Sequence, residues 1–168
     1  MQIIFLPTEW SFLICFILWP VFQISISIIC LIIPDDFYAK DNFLFRVRKW
    51  ENQGNVYESI FRIRRWKQFL PDGAAIIKSG FRKKHLQQMS VEYFKKFLVE
   101  SRRAELGHWI AITPFWIFGF FTPFPVIIYM FLYAIIINLP CILAQRYNRP
   151  RLFEVLKKLE EREQIADK

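Results

Sequence analysis

The chain has 168 residues, 54% of them hydrophobic, with 19 phenylalanines and a net charge of +8 at pH 7. Its mean hydropathy of +0.22 is too high for an ordinary soluble domain. Its length suits one domain, and its three cysteines, all in apolar runs, fit neither a disulfide framework nor a C-x-x-C pair and are expected to be packing residues.

Residues 10–34, WSFLICFILWPVFQISISIICLIIP, lie between Glu9 and Asp35 and carry no charge. A bilayer core takes about 20 apolar helical residues, so this segment predicts one span. It has no basic n-region and no A-x-A site, and its apolar run exceeds that of a signal peptide. A retained N-terminal anchor is the expectation.

The loop 35–105 is far longer than connections usually are. It carries Phe37, Phe43, Phe45, Trp50, Tyr57, Phe61, Trp66 and Phe69, an aromatic load foreign to a disordered linker. A folded, mostly helical cap against the membrane is predicted. Within it, YESIFRIRRWKQFLPDG sets Ile60, Ile63, Trp66 and Leu70 at spacings of 3, 3 and 4. That predicts one helical face, closed by the turn Pro71-Asp72-Gly73.

Ser90 predicts an N-cap, followed by Val91, Phe94, Leu98, Ser101, Glu105 and His108 on one helical stripe. The stripe begins apolar and ends with an acid and an imidazole where leucines would suit the pattern. Such a local conflict marks a candidate functional site.

Residues 109–145 again carry no charge and are long enough for two short spans, with FFTPFP (Phe120–Pro125) near the middle to turn the chain. Asn138 and Gln145 interrupt the second arm, and Pro140 frees a carbonyl near Ile136. From Arg151 onward, Leu152, Val155, Leu156 and Leu159 lie on a charged helix that suits a membrane surface.

Charge sets the expected orientation. Residues 35–105 hold 16 Lys/Arg against 9 Asp/Glu, the segment from Arg146 holds 7 against 5, and no Lys or Arg precedes the first span. Positive segments stay cytoplasmic, which places cap and tail inside and the N-terminus outside. The predicted fold is an all-α integral membrane protein with three transmembrane helices under a cytoplasmic cap. It forms a single domain, 1–168, made of a first span (10–34), cap loop (35–105), helical hairpin (106–145) and amphipathic tail (146–168).

Glu105 and His108 are three apart, close enough to meet on a helix. A carboxylate beside an imidazole holds its tautomer and supports it as a general base for a hydroxyl. The plainer reading is an interfacial ionic cluster of Arg102, Arg103 and Glu105, with His108 as a boundary residue. A metal is not expected, because His85 is the only other histidine and no second E-x-x-H exists. Arg146, Arg149 and Arg151, with the loop cations, suit either a phosphate-bearing donor or anionic lipid at the membrane surface. Nucleic acid is a poor account of the charge, since the basic residues follow membrane-facing elements. No G-x-S-x-G occurs, and H-x-x-x-x-D is absent: five residues after His85 stands Ser90, and after His108 Thr113.

RRAELGHWIAITP and NLPCILAQRYNRPRL resemble the two signature stretches of the glycosyl-4,4'-diaponeurosporenoate acyltransferases. IIPDDFY, RRWKQFLPDG and KHL resemble that family's pattern in the same order, so the resemblance covers most of residues 30–155. It implies transfer of a fatty acyl chain to the sugar primary hydroxyl of a glycosylated C30 carotenoid, the last step of staphyloxanthin-type pigment synthesis, in a bacterial cell membrane. The positions that match are Arg103, Glu105, His108, Trp109, Asn138, Gln145, Arg146, Asn148 and Arg149, with Asp72 and His85 more loosely. On that footing His108, oriented by Glu105, is expected as the base, with Gln145, Arg146 or Asn148 stabilising the oxyanion. No cofactor is implied beyond an acyl donor such as acyl-CoA or acyl carrier protein. Expected partners are the lipid or glycosylated-carotenoid acceptor, anionic lipids and other pigment-pathway enzymes. The alternative is a non-catalytic membrane scaffold that binds anionic lipid and partner enzymes through its basic loop.

Overall fold

The computed structural model describes residues 2–70 and 90–166, with helices and irregular segments and no strand among the described residues. Asp72, His85 and the turn Pro71-Asp72-Gly73 lie outside them. Helix α1 spans Thr8–Ile32, α2 Asp35–Ala39, α3 Asn55–Phe61, α4 Ile63–Trp66, α5 Val91–Ile112 and α6 Phe124–Ala166. Short 3-10 segments occupy Lys49–Gly54, Lys67–Phe69 and Thr113–Phe120. Helices α1 and α6 are long and apolar enough to cross a membrane. The ring of Pro34 disfavours helical backbone at Ile33, which turns extended and ends α1. Phe12, Phe16, Ile24 and Leu31 stand exposed along α1, apolar surface that suits lipid better than water.

The chain forms two compact units, Met1–Ile33 with Glu105–Leu139, and Pro34–Ala104 with Pro140–Lys168. In the first, Trp19, Phe118, Phe121 and Ala134 make a buried cluster, with the Trp19 and Phe118 rings 5.7 Å apart. The expected turn is present: the 3-10 segment stops at Phe120 and α6 starts at Phe124. His108 pairs with Asn138, Phe115 stacks on Phe131, and a Cβ on Gly119 would meet Ile127 at 2.6 Å. All three pairs are symmetric about Pro123, so the two arms run antiparallel there.

The first arm is not α-helical throughout. Pro114 has no N–H to give the Ile110 carbonyl one turn back, and the Thr113 hydroxyl donates to it instead at 2.8 Å. From there the chain tightens into the 3-10 form.

In the second unit, the stripe on α5 is buried at Val91, Phe94, Leu98 and Ser101. Ser90 caps the helix, its Oγ accepting from the Tyr93 N–H at 3.3 Å. The segment 57–70 departs from the single helix predicted for it. Arg62 takes a left-handed conformation (φ 50°, ψ 48°) that separates α3 from α4, and the Glu58 carboxylate accepts from the Arg64 N–H at the start of α4. Ile63 is consequently buried while Ile60 is exposed, so the two do not share a face.

The irregular segment 40–48 has few backbone partners of its own, and arginines supply donors for it. Arg102, 1% exposed, donates to the carbonyls of Tyr38 and Ala39 at the end of α2 and to Asp41. Cations suit the orphan carbonyls at such an end. Arg149 donates to the Phe45 carbonyl at 3.0 Å. Cys15, Cys30 and Cys141 are thiols, the last two buried, as packing residues should be.

Candidate active site

Four of the expected site residues lie in the first unit. His108 is half-buried on the last turns of α5, and its Nδ1 is 2.9 Å from Oδ1 of Asn138 on α6. The Asn138 side chain is almost wholly enclosed. Its Nδ2 donates to the Ala134 carbonyl one turn back at 2.9 Å. That bond settles which end of the amide faces the ring: the NH2 is used, so the carbonyl oxygen points at His108. The ring nitrogen opposite a carbonyl oxygen must donate, so Nδ1 carries the proton and Nε2 keeps its lone pair in the neutral ring. An imidazole held this way is ready to accept a proton.

Glu105 is buried one turn earlier, and its Oε1 accepts from the exposed Trp109 indole at 3.4 Å. The spacing of three residues puts Glu105 and His108 on adjacent turns. The hydrogen bond that orients the ring nevertheless comes from the other helix.

The remaining expected residues that the structure describes lie in the second unit, and each is engaged there. Arg103 forms ion pairs with Asp35 and Glu100 and lies over the Tyr38 ring. Gln145 accepts from the Ser101 hydroxyl at 2.6 Å. Arg146 donates to Glu51 at 3.0 Å and to the carbonyls of Leu44 and Arg46. Asn148 accepts from Lys67 Nζ at 2.9 Å, and Arg149 holds Phe45 as described. Burial, and then the charges of Arg151 and Arg64, push the Lys67 ammonium below its ordinary value.

A family model described as glycosyl-4,4'-diaponeurosporenoate acyltransferase matches residues 40–158. The chain belongs to this family. Proteins of that name in Staphylococcus aureus strains MRSA252, N315 and USA300 are each 33% identical over 153 residues, 91% of this chain and 92% of theirs. No solved structure gives a significant match.

The match to the glycosyl-4,4'-diaponeurosporenoate acyltransferases takes in every candidate residue and leaves α1 outside. Sequence reasoning overlooked Glu51 and Tyr147. Glu51 is buried, accepts from both Arg146 and the Tyr57 hydroxyl, and leaves Oε2 without a partner among the described residues. Tyr147 accepts from Arg64 Nε at 2.7 Å, with the Arg151 guanidinium 3.8 Å above its ring. The tyrosine inside Q-R-Y-N-R-P was the available signal for the second. Glu51 sits among exposed polar neighbours and offered none.

Proposed function

We propose that the chain transfers a fatty acyl group to the sugar primary hydroxyl of a glycosylated C30 carotenoid, with His108 as general base. Family membership supports the reaction, and the Asn138-held imidazole is the observation that supports the base. In the reaction, Nε2 of His108 takes the hydroxyl proton as the oxygen attacks the donor carbonyl. That attack forms the sugar ester C–O bond, and the tetrahedral adduct then collapses, restoring the carbonyl and breaking the bond to the leaving group. The imidazolium returns its proton to that group, so the site ends as it began. Asn138 is the positioning residue. Glu105 lies on the adjacent turn beside the ring, and Trp109 orients it. Arg103, Gln145, Arg146, Asn148 and Arg149 act on the reaction by shaping the cap that they hold together. The acyl donor is a co-substrate of the acyl-CoA or acyl carrier protein kind.

We further propose three crossings, with cap and tail cytoplasmic and the N-terminus outside. The charge distribution supports the orientation. For the crossing between α1 and α6, the 3-10 form supplies reach: residues 106–120 extend about 27 Å with that segment at about 2.0 Å per residue, against about 22 Å as α-helix alone. The hydrocarbon core is about 30 Å thick. Helix α6 is far longer than one crossing requires, so only its first half spans and the part from Arg146 emerges.

The test is transfer by the purified full chain, supplied with a glycosylated C30 carotenoid and acyl thioesters of differing length, with the ester read by mass. Formation of the ester, and its loss in His108→Ala at equal abundance, is expected. A chain that stays folded and abundant yet esterifies no acceptor with any donor overturns the reading.

A further inference from the structure

The second unit contains a cavity of about 670 Å³ lined by Arg46, Arg48, Lys49 and Lys157 on its charged side, and by Pro150 and Phe153 on its apolar side. Two acids also line it, Asp41 and Glu154, but Asp41 is taken by Arg102 at 3.1 Å. Arg46 and Lys49 have no carboxylate partner among the described residues. Arg48 is held over the Phe43 ring, 4.6 Å from its centre, which positions a guanidinium without neutralising it. The wall also includes Asn52 and Gln53, two consecutive non-glycine residues at φ 45° and 54°. Left-handed backbone of this kind is strained for residues that carry a Cβ and gathers at functional sites.

The arginines first expected to recruit an anion are differently employed. Arg146 and Arg149 give their N–H groups to chain carbonyls and to Glu51, whereas Arg46 and Lys49 of this cavity are exposed and Lys157 has only a 3.9 Å pair with Glu161 on the surface of α6. Four cations outnumber the two acids of the lining, and beside Pro150 and Phe153 they suit a ligand with phosphate at one end and uncharged surface at the other. The volume is that of a pocket for a small organic molecule.

We propose that this cavity binds the phosphate-bearing end of the acyl donor, Arg46, Arg48, Lys49 and Lys157 holding the phosphate and Phe153 and Pro150 the uncharged portion. The inference rests on the acyl-transfer reading for the ligand's role, but binding is measurable without turnover. A phosphate can arrive on a soluble thioester of the coenzyme A type or on a glycerophospholipid headgroup, and the chemistry of recognition is shared.

The experiment uses the full chain in phosphatidylcholine nanodiscs. Coenzyme A, short-chain phosphatidylglycerol and, as zwitterionic control, short-chain phosphatidylcholine are titrated separately. Saturable binding of coenzyme A or of phosphatidylglycerol over the control is expected, weakened about tenfold or more in Arg46→Gln/Lys49→Gln. The charge-preserving pair Arg46→Lys/Lys49→Arg should stay within about threefold of the parent. A loss confined to coenzyme A identifies a soluble thioester, and a loss confined to phosphatidylglycerol identifies a lipid donor; either sustains a phosphate site. Should the double variant lose its helical signal, Lys157→Gln, on an exposed turn of α6, takes its place with a loss of about threefold. Undiminished binding of both probes by the folded neutral variants, or no saturable binding by the parent, overturns the proposal. His108→Ala should bind the probes as the parent does, which separates failure of this site from failure of the base.

Discussion

Asn138 Oδ1 lies 2.9 Å from His108 Nδ1, on a neighbouring helix and 30 residues away in sequence. An amide does for this ring what a carboxylate does in many hydrolases, fixing one tautomer, but it adds no charge. The amide is itself fixed by its bond to the Ala134 carbonyl. Ring and amide therefore behave as one unit, with Nε2 as its reactive atom.

His108→Ala removes the base and should lower kcat about 10²- to 10⁴-fold, roughly 3–5 kcal/mol of transition-state stabilisation. The side chain is only half-buried, so abundance and thermal midpoint should change little. Esterification by purified, folded variant at saturating acceptor is the measurement. Activity within a few-fold of the parent would remove His108 from the mechanism.

Asn138→Leu leaves the imidazole in place but frees it to rotate and exchange tautomers. It should lower kcat about 10- to 100-fold with KM for both substrates nearly unchanged, because positioning is lost and binding is not. Leucine shares the branched outline of asparagine and suits an apolar helix, so the variant should accumulate normally. If KM rises and kcat holds, Asn138 binds substrate rather than positioning the ring.

Arg146→Met strands Glu51, which is 1% exposed and already has one oxygen unpartnered. Breaking a buried pair from one side should destabilise the chain by about 3–5 kcal/mol. Adding Glu51→Leu removes the stranded charge and should restore much of that loss, although the Tyr57 hydroxyl then needs a new acceptor. Denaturation of the four chains in one detergent closes the cycle. An additive result would show that the ion pair carries no coupling.

Lys67 sets a pH dependence. Burial first, then Arg151 and Arg64, lowers its pKa below 10.5, so between the folded value and 10.5 the unfolded chain binds more protons. Stability from this group therefore rises with pH across that window, and the penalty is present in full below the folded value. Lys67→Met should flatten the rise while losing the bond to Asn148. Unfolding midpoints from pH 7 to 10.5 test it, and an unchanged slope in the variant would assign the rise to another group.

The features legible in the sequence were those encoded within a few residues of one another. The charge-free run after Glu9 became α1, the apolar stripe from Val91 became the buried face of α5, and the prolines after Phe120 turned the chain. Each depends on local periodicity, on a cap, or on a missing N–H. The helix expected over 57–70 failed at Arg62, where a left-handed residue lets the Glu58 carboxylate cap a second helix and swings Ile63 into the core. Propensity alone gave no notice of that break, because arginine is a good helix former.

Partners of polar groups were decided by tertiary structure. Glu105 stood three residues from His108 and looked like its orienting group, yet Asn138 on the returning arm reaches the ring. Arg146 finds its acid 95 residues away in Glu51, and Arg149 is spent on the Phe45 carbonyl. The physical reason is the same in each case. Helical periodicity is fixed by geometry repeating every few residues, so it can be read along the chain. A hydrogen-bond partner is chosen by which donors and acceptors are brought within about 3 Å after packing has removed water, and that choice exists only in the folded chain.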